Sequence, residues 1–576
     1  MDTVKSFKGY GKVDERDDGE FRRKSRKRLI ILAVSAVLLI GLIAGIVAGT
    51  LSHRKNKNDS SGETPATTSA ALKSICGSTE YPESCVASLR SSNSSDPQTI
   101  FRYSLSVAMG SLTKASDFAT EYISKHENLD ARAKQALQVC SAVLGDAVDS
   151  LNETIDAAGA RDGKQLLSVA GDLRTWLSAV ITDQDTCIDA LDEAGANATA
   201  VSDEVRKLMA NSTEFASNSL AIVTKVVGFL GGFKIPANRR LLGEVEDGFP
   251  AWVGVAERRL LQEERPKPDV TVAADGTGDV RTVNEAVKML KKKSKTRFVI
   301  YVKAGVYVEN VLLEKAHWNV MVYGDGAAAT VISGSKNYVD GTATFDTATF
   351  AVAGKGFIAR DIGFINTAGA GKHQAVALRS GSDQSVFHRC SFHAFQDTLY
   401  PHSNRQFYRE CNVTGTIDFI FGNAAVVFQK CNIMPRQPMP NQFVTITAQG
   451  KKDPNQNTGI SIQRCVMGPF DRLTAPTYLG RPWKDYSTTI VMQTEIGGFL
   501  NPLGWISWVN GVDPPNSIFY AEYQNTGAGS STAGRVRWAG YRPTVTTAEA
   551  SKYTVNSFIK GPSNWLADSN VDFDST

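Results

Sequence analysis

The sequence predicts a multidomain chain: an N-terminal transmembrane helix, then an all-α four-helix bundle, then an all-β right-handed parallel β-helix. Three observations predict it. Residues 29–51 are apolar and uncharged, residues 97–229 show helical periodicity, and the chain after Asp269 repeats a short apolar run around a cysteine. With 576 residues, 42% hydrophobic and 21% charged, the chain is long enough for more than one core.

The N-terminal region joins a basic cluster to an apolar segment. Residues 22–28 (RRKSRKR) carry six of the positive charges; without them the net charge falls from +4 to −2, and we expect no nucleic-acid binding. Residues 29–51 could cross a bilayer at about 1.5 Å per residue. Because basic residues are denser before this segment than after it, residues 1–28 are predicted to be a cytosolic tail. A buried helix of a soluble protein is the alternative, which the flanking charges disfavour.

The segment that follows is predicted to be lumenal. Residues 52–70 are rich in Ser, Thr, Asn and Gly, which is typical of a linker. Asn-x-Ser/Thr sequons, which are candidate glycosylation sites, agree with this location. They begin at Asn58, Asn93, Asn152, Asn197, Asn211 and Asn412.

Residues 71–228 are predicted to form the bundle, because apolar side chains recur there at helical spacing. The two clearest stripes are Leu137, Cys140, Leu144, Val148 and Leu151, and Leu166, Val169, Leu173, Trp176, Leu177 and Val180. In an oxidising compartment we expect Cys76 to pair with Cys85, and Cys140 with Cys187. Zinc ligation is the alternative, but no C-x-x-C or histidine spacing supports it.

Two segments of this region resemble a known family. They are TWLSAV at 175–180 and DQDTC at 183–187. Together with the layout of the four cysteines, they are similar to the plant invertase and pectin-methylesterase inhibitor family over residues 70–228. The resemblance implies a pro-domain related to inhibitor proteins.

Residues 229–265 break the helical pattern and contain the tetrapeptide Arg-Arg-Leu-Leu twice. The arginine pairs are Arg239 with Arg240, and Arg258 with Arg259. Dibasic pairs in an exposed linker of a secretory protein are protease targets, so we expect a processing protease to cut here. Ordinary surface charge is the alternative, and the duplication disfavours it.

Within residues 266–576, four apolar runs carry a cysteine at the same place: VFHRCSF, FYRECNV, VFQKCNI and SIQRCVM. These cysteines are Cys390, Cys411, Cys431 and Cys465, which are 21, 20 and 34 residues apart. Such a period marks a stacked solenoid, and alternating Val, Ile and Phe between Gly, Asn and Asp turns indicates strands. We expect the cysteines to stack in its core or to form a disulfide, with Cys390 and Cys411 as candidates.

Two aspartates share this spacing. Asp397 and Asp418 are 21 residues apart, so we expect them on successive coils, about one strand spacing of 4.8 Å apart. Two negative charges at this distance repel each other, so the pKa of one carboxyl group is raised while that of the other stays low. The pair then combines an acid with a nucleophile or base. Gln374 and Gln396 are 22 residues apart, nearly the same step. Solvated turn residues are the alternative, but Asp418 opens an apolar run, DFIFG.

Five motifs in this region resemble the pectin methylesterase family, in the family's order. They are GVYVEN at 305–310, QAVAL at 374–378, QDTL at 396–399, DFIFG at 418–422 and LGRPW at 479–483. The resemblance implies removal of methyl esters from homogalacturonan with release of methanol. The arginine pairs also resemble the processing sites between the two halves of plant pectinesterases.

The resemblance implies a role for each matching residue. Asp418 matches the nucleophile and Asp397 the general acid and base. Gln374 and Gln396 match the oxyanion donors, and Arg481 matches the residue that holds the nucleophile. The implied substrate-binding residues are Thr344, Gln374, Arg481 and Trp483.

Two other functions remain as alternatives. A β-helix glycoside hydrolase also uses paired carboxylates, about 5 to 5.5 Å apart in retaining enzymes, but the glutamine pair favours a tetrahedral oxyanion. A binding or inhibitory protein with an inert solenoid would be favoured if the site residues were substituted, and they are intact. The seven histidines show no H-x-x-x-H spacing, so we expect no metal and no cofactor.

These expectations predict a precursor in the secretory-pathway membrane and a processed enzyme in the cell wall or extracellular space. The expected partners are methylesterified homogalacturonan, inhibitor proteins of the same bundle family, a processing protease, and the membrane through the N-terminal anchor. The bundle is expected to cover the catalytic cleft as an autoinhibitor, and a folding or retention aid is the alternative.

Overall fold

The computed structural model describes residues 65–159, 163–232 and 267–559. The predicted transmembrane segment at 29–51 and both arginine pairs lie outside these ranges. Among the helices that the structure describes, none combines the length and the apolar character needed to cross a membrane.

Over the described residues, the helical region has two short helices followed by four long ones. They are α1 (Pro65–Cys76), α2 (Pro82–Leu89), α3 (Pro97–Lys125), α4 (Ala131–Gly159), α5 (Gly163–Ala194) and α6 (Thr199–Gly232). Residues 65–70, which the composition predicts as linker, form the first half of α1. Residues 229–232, also predicted as linker, are the last turn of α6.

The long helices each bury an apolar face. The predicted stripe of α4 is almost wholly inside, with Leu137, Cys140, Leu144 and Leu151 fully buried. The predicted disulfides are present, joining Cys140 to Cys187, and Cys76 to Cys85. The first disulfide ties α4 to α5 and the second ties α1 to α2, so the cysteine pairing predicted from the sequence is confirmed.

Residues 267–559 wind into a parallel β-helix with three sheets. The first sheet contains β1 (Val270–Val272), β2 (Phe298–Val302), β5 (Val320–Tyr323), β8 (Ile358–Arg360), β11 (Ser385–His388), β14 (Arg405–Arg409), β17 (Ala425–Gln429), β20 (Gly459–Gln463), β23 (Thr488–Met492), β25 (Phe519–Tyr523) and β26 (Tyr541–Arg542). The second contains β4 (Val311–Leu313), β7 (Phe350–Val352), β10 (Leu378–Ser380), β13 (Leu399–Pro401), β16 (Ile420–Gly422), β19 (Val444–Gln449) and β22 (Thr477–Pro482). The third contains β3 (Gly305–Val308), β6 (Thr330–Gly334), β9 (Gly363–Asn366), β12 (Ser391–His393), β15 (Asn412–Gly415), β18 (Asn432–Pro435), β21 (Val466–Met467) and β24 (Glu495–Ile496).

The strand register follows the repeat seen in the sequence. Val386 pairs with Phe407, Phe407 with Val427, and Val427 with Ser461. These steps equal those between the repeat cysteines, because the cysteines and the strands belong to the same coils. Aromatic side chains stack inside in the same order: the Phe387 and Tyr408 rings lie 4.5 Å apart.

The repeat cysteines correct one expectation. Cys390 and Cys411 do not form a disulfide; with Cys431 and Cys465 they are free, buried thiols. The Cys411 thiol donates to the carbonyls of Phe387 and Arg409, at 3.4 and 3.3 Å. Since the thiols bond to nearby backbone, they stack as small core side chains without cross-linking the coils.

Short helices cover the ends and one side of the β-helix. They are α7 (Val283–Val287), α8 (Thr547–Ala550) and α9 (Val555–Phe558). A capping box between Thr282 and Glu285 starts α7, whose apolar side chains join the β-helix core. Val555 of α9 packs with Val299 and Met321 of the first sheet.

The helical region packs against the second sheet of the β-helix. Side chains of both regions form one apolar cluster, to which the β-helix contributes Phe345, Val376, Tyr400, Phe421 and Ala448. Polar contacts flank it, and the indole Nε1 of Trp176 on α5 donates to Asp383 Oδ2 at 3.2 Å. Arg405 binds both Asp383 and Asp172 of α5. Helix α5 therefore lies along the face of the second sheet.

The predicted glycosylation sites differ in exposure. Asn93, Asn152 and Asn211 are exposed on the helical region, whereas Asn412 is half-buried and its side-chain oxygen accepts a hydrogen bond from Asn432. Asn58 and the side chain of Asn197 lie outside the described part of the chain.

Candidate active site

Asp397 and Asp418 occupy equivalent positions on successive coils. Each lies two residues before a strand of the second sheet, and the strands begin at Leu399 and Ile420, which pair with each other. The Asp397 N–H donates to the carbonyl of Ile417 at 3.0 Å, which continues the same register. Both aspartates have left-handed backbone, with φ of 61° and 50°, a conformation that Asp tolerates better than most residues. The coil register therefore brings the two carboxyl groups to one site.

Asp418 is held by an arginine. Arg481 Nε donates to its Oδ1 at 2.9 Å, and Nη2 donates to Oδ2 at 2.6 Å. The hydroxyl of Thr445 donates to Oδ1 at 2.7 Å and accepts from the Asp418 N–H at 2.8 Å. Burial alone would lower the pKa of Arg481, but the adjoining Asp418 outweighs burial and raises it. This bidentate pair fixes the orientation of the Asp418 carboxyl group.

Within the described residues, Asp397, unlike Asp418, has no arginine bonded to it. Burial, the neighbouring Asp418 and Glu193 of α5 raise the pKa of Asp397 well above its usual value, while Arg481 acts in the other direction. Asp397 is therefore suited to carry a proton beside an ion-paired carboxylate. A proton donor next to a nucleophile is the arrangement that acyl transfer requires.

Gln374 and Gln396 lie on neighbouring coils and pair through their backbones. Both are half-buried and line the same cavity as the two aspartates. Within the part of the chain that the structure describes, no hydrogen bond occupies either side-chain amide. Two free amide donors at the edge of a carboxylate pair are suited to stabilise a developing oxyanion.

Thr344 and Trp483 line this cavity, whose volume is about 560 Å³. The Trp483 ring lies 6.2 Å from that of Trp508, with 26° between the planes. A Cβ on Gly450 would lie 2.9 Å from Trp483 Cε3, so the indole approaches the backbone at a place where only glycine fits. The remaining aromatic lining comes from Tyr338, Phe345, Tyr400 and Phe421.

Helix α5 supplies one wall of the cavity. Its lining residues are Thr186, Asp189, Ala190, Asp192 and Glu193. The Thr344 N–H donates to both oxygens of the Glu193 carboxylate at 3.2 Å, and the Thr344 hydroxyl also donates to it. Burial raises the pKa of Glu193, although the bonds from Thr344 oppose this. A carboxylate of the helical region therefore binds Thr344, which the resemblance implies to be a substrate contact.

Several residues in or beside the site escaped sequence analysis. Thr445 follows Asp418 by 27 residues, because the intervening coil is longer than the repeat, so the 21-residue spacing did not locate it. Trp508 lies between β24 and β25, outside the repeat. Nothing in the sequence indicated that Glu193 would face Thr344. Over the described residues, no group of three or more His, Cys, Asp or Glu side chains is arranged to hold a metal ion.

The geometry favours attack on an uncharged acyl group. An anionic carboxylate would repel a charged substrate, whereas amide donors and a proton donor match the oxyanion and leaving group of an ester. The fold and the site together define a class, the β-helical ester hydrolases with a paired-aspartate site.

Comparison with known proteins identifies the family. The Pectinesterase family model matches residues 269–562, and the model for plant invertase/pectin methylesterase inhibitor matches residues 70–222. Pectinesterase 3 of Phaseolus vulgaris is 58% identical over 590 aligned positions, covering 100% of both chains. Pectinesterase 1 of Arabidopsis thaliana is 56% identical and covers 98% of both. The chain belongs to the pectinesterase family, and its N-terminal half contains an inhibitor-like domain.

A solved structure matches part of the chain. Pectin methylesterase from carrot is 54% identical with a TM-score of 0.50, and the match covers 52% of this chain and 94% of the carrot chain. The solved carrot chain thus corresponds to about half of this chain.

Proposed function

We propose that this protein hydrolyses the methyl esters of homogalacturonan in the plant cell wall, releasing methanol and leaving pectate. The observation that carries the mechanism is the unequal aspartate pair. Asp418 is ion-paired with Arg481, and the pKa of Asp397 is raised by burial and by Asp418. One carboxyl group is therefore poised to attack while its neighbour holds a proton.

In the first half-reaction, a carboxylate oxygen of Asp418 attacks the carbonyl carbon of the ester. The tetrahedral intermediate collapses by breaking the bond to the methoxy oxygen, which takes the proton of Asp397 and leaves as methanol. The product is an acyl-enzyme in which Asp418 and the uronate share an anhydride bond.

In the second half-reaction, Asp397 acts as a base. Its carboxylate takes a proton from water, and the resulting hydroxide attacks the uronate carbonyl carbon. The anhydride bond breaks, Asp418 leaves as a carboxylate and the uronate acid group is formed, which loses its proton to solvent. Asp397 is again protonated, so both residues regain their starting state.

The other cavity residues stabilise and position the substrate. The amides of Gln374 and Gln396 donate to the oxyanion of each tetrahedral intermediate, for which one donor contributes on the order of 10²-fold in rate. Thr344 and Trp483 contact the sugar chain, and stacking on an indole suits the apolar face of a pyranose ring.

Methanol is the product that tests this function. We expect the segment from residue 265 to 576, produced separately, to release methanol from methylated pectin. A glycoside hydrolase would instead produce new reducing ends. Reducing ends without methanol would contradict the proposal.

The precursor is held inactive by its helical region. Helix α5 forms a wall of the cavity, and Glu193 is bonded to Thr344. Tethering through a linker of about 40 residues gives an effective concentration approaching millimolar, so a modest affinity keeps the cleft closed. A folding or retention aid would also need contact with the β-helix, but it would not require a carboxylate on a substrate-binding residue.

The precursor is anchored in the secretory membrane by residues 29–51, with residues 1–28 in the cytosol. The apolar length of this segment and the basic residues before it support this topology. Cleavage after the Arg-Arg-Leu-Leu sites at 239–242 and 258–261 releases a soluble, glycosylated enzyme into the wall. Inhibitor proteins of the same family as the bundle are the expected partners of the opened cleft.

A further inference from the structure

A buried threonine links the loop that carries Thr344 to the segment that carries Gln374. The hydroxyl of Thr347, which is fully buried, donates to the carbonyl of Thr344 at 2.8 Å and accepts from the N–H of Val376 at 3.1 Å. Thr344 is the proposed substrate contact, and Val376 lies two residues after Gln374, a proposed oxyanion donor. One hydroxyl group that is not part of the cavity lining therefore connects two residues that are.

The side-chain amide of Asn366 holds both sides of this link. Asn366 is buried at the end of β9. Its Nδ2 donates to the carbonyls of Lys336 at 2.9 Å, Val376 at 3.1 Å and Thr347 at 3.3 Å. Its Oδ1 accepts from the N–H of Ala368 at 3.0 Å. Because the residues on either side of the Thr347 hydroxyl bond are fixed to the same amide, the geometry of that bond is well defined.

The two ends of the link differ in how they are held. The Thr344 carbonyl also accepts from the backbone N–H of Thr347, at 3.2 Å, so it keeps a donor if the hydroxyl is removed. Over the described residues, the Val376 N–H has the hydroxyl as its acceptor and no second one. An unpaired buried N–H is costly, so without the hydroxyl we expect the backbone near Gln374 to shift toward another acceptor.

We propose that Thr347 is a positioning residue for ester hydrolysis, an inference that rests on the proposed function. Its hydroxyl sets the backbone at Val376 and thereby the direction of the Gln374 amide two residues earlier. The amide then meets the oxyanion of a substrate whose sugar chain contacts Thr344. A displacement of about 1 Å in an active site can cost on the order of 10²-fold in rate, so a bond outside the cavity is enough to control the donor.

Paired substitutions test the hydroxyl. Thr347→Val removes it at nearly constant shape, and Thr347→Ser keeps it. The whole chain is produced with a protease site inserted in the linker and is cut before the assay, so that both regions fold together. We expect Thr347→Val to lower kcat for methanol release about tenfold with KM within about twofold, and Thr347→Ser to stay within about twofold in both.

Thr349→Val is the matched control. It removes an equally buried hydroxyl two residues along the same segment, which donates to the carbonyl of Ile365 at 3.0 Å and makes no bond to Val376. Its kcat should stay within about twofold of that of the unsubstituted chain.

A double substitution separates positioning from a general effect on folding. If Thr347 acts through the Gln374 amide, adding Thr347→Val to Gln374→Ala should lower kcat by less than about twofold further, because the donor is already absent. A purely structural role would give the full loss of about tenfold in both backgrounds. That result, or an unchanged kcat in Thr347→Val alone, would overturn the proposal.

Crystal structures of the cut chain measure the position of the donor without activity. We expect the side-chain nitrogen of Gln374 to move by about 1 Å or more in Thr347→Val and to stay in place in Thr347→Ser. An unmoved Gln374 in Thr347→Val would overturn the proposal. Thr347→Ala removes the same hydroxyl and takes the place of Thr347→Val if the latter does not fold. If the unsubstituted cut chain released no methanol, the proposed function would fail, while the crystal structures would still decide on the positioning.

Discussion

Glu193 of α5 accepts hydrogen bonds from both the backbone N–H and the hydroxyl of Thr344 on the β-helix. Thr344 is a proposed substrate contact, so a helix carboxylate occupies the place of substrate. Glu193 also contributes to the raised pKa of Asp397. Under the proposed autoinhibition, α5 and pectin therefore compete for Thr344.

Asp418→Asn should abolish methanol release. An amide is a poor nucleophile, so we expect a loss on the order of 10⁴-fold or more in kcat. The control is Asp361→Asn, since Asp361 also has left-handed backbone and a bidentate bond from an arginine, Arg389, but lies outside the cavity. Its activity should stay within about threefold of the unsubstituted segment, with both variants melting within about 5 °C of it. Turnover at the original rate in Asp418→Asn would remove this residue from the mechanism.

Gln396→Ala should lower kcat by on the order of 10²-fold with little change in KM, because an oxyanion donor acts only as charge develops. Gln396→Glu should be at least as slow, since a carboxylate cannot donate a hydrogen bond and would repel the oxyanion. The measurement is methanol release by the separate segment over a range of pectin concentrations. A rise in KM at constant kcat would instead make Gln396 a ground-state binding residue.

Autoinhibition should persist when the linker cannot be cut. A chain with both arginine pairs replaced should release methanol much more slowly than the same chain cleaved at an inserted protease site. Trp176→Ala should raise the rate of the uncut chain about tenfold or more, because the indole packs beneath Lys355 and bonds to Asp383 across the contact. Phe118→Ala is the control, because it truncates an aromatic residue of α3 whose ring lies 5.4 Å from that of Tyr122. Equal rates before and after cleavage would reject autoinhibition.

Inhibition should weaken as the pH rises. Burial and the neighbouring Asp185 raise the pKa of Asp189 to about 6 in the closed chain, outweighing Lys484. Closing therefore takes up protons, so the closed state is fully stabilised below the ordinary pKa of a free aspartate, about 4, and loses stability as the pH passes about 6. The ratio of uncut to cut methanol release should rise at least about fivefold between pH 5 and about 7. Asp189→Asn should flatten this profile, and a steeper rise in that variant would contradict the assignment.

Secretion should remove the helical region. We expect enzyme recovered from the wall to begin after Leu242 or Leu261 by mass spectrometry, because both Arg-Arg-Leu-Leu sites lie between the two family-model matches. Replacing both pairs should keep the protein at full length and retained with membranes. Secreted enzyme that still contains residues 70–230 would show that cleavage is not required for release.

Much of this architecture was predictable from spacing. The 21-residue step that relates the cysteines also relates Asp397 to Asp418, because neighbouring coils of a parallel solenoid pair at intervals of one coil length. The apolar stripes of the bundle were predictable because they follow the helical period. Its cysteine pairs were also predicted from the sequence. The same periodicity did not show whether Cys390 and Cys411 would bond, since the coil spacing permits either a stack or a cross-link.

The sequence by itself determined the coil register, the aspartate pair and the two regions of the chain. Only the tertiary structure decided that α5 enters the cleft, that Thr445 also binds Asp418, and that lysines meet helix carboxylates beside Trp483. The physical reason is that register depends on a period within one segment, which a sequence displays. A cleft and the helix that fills it depend on complementary shape and charge between segments more than 150 residues apart, as with Glu193 and Thr344, and such contacts follow no period.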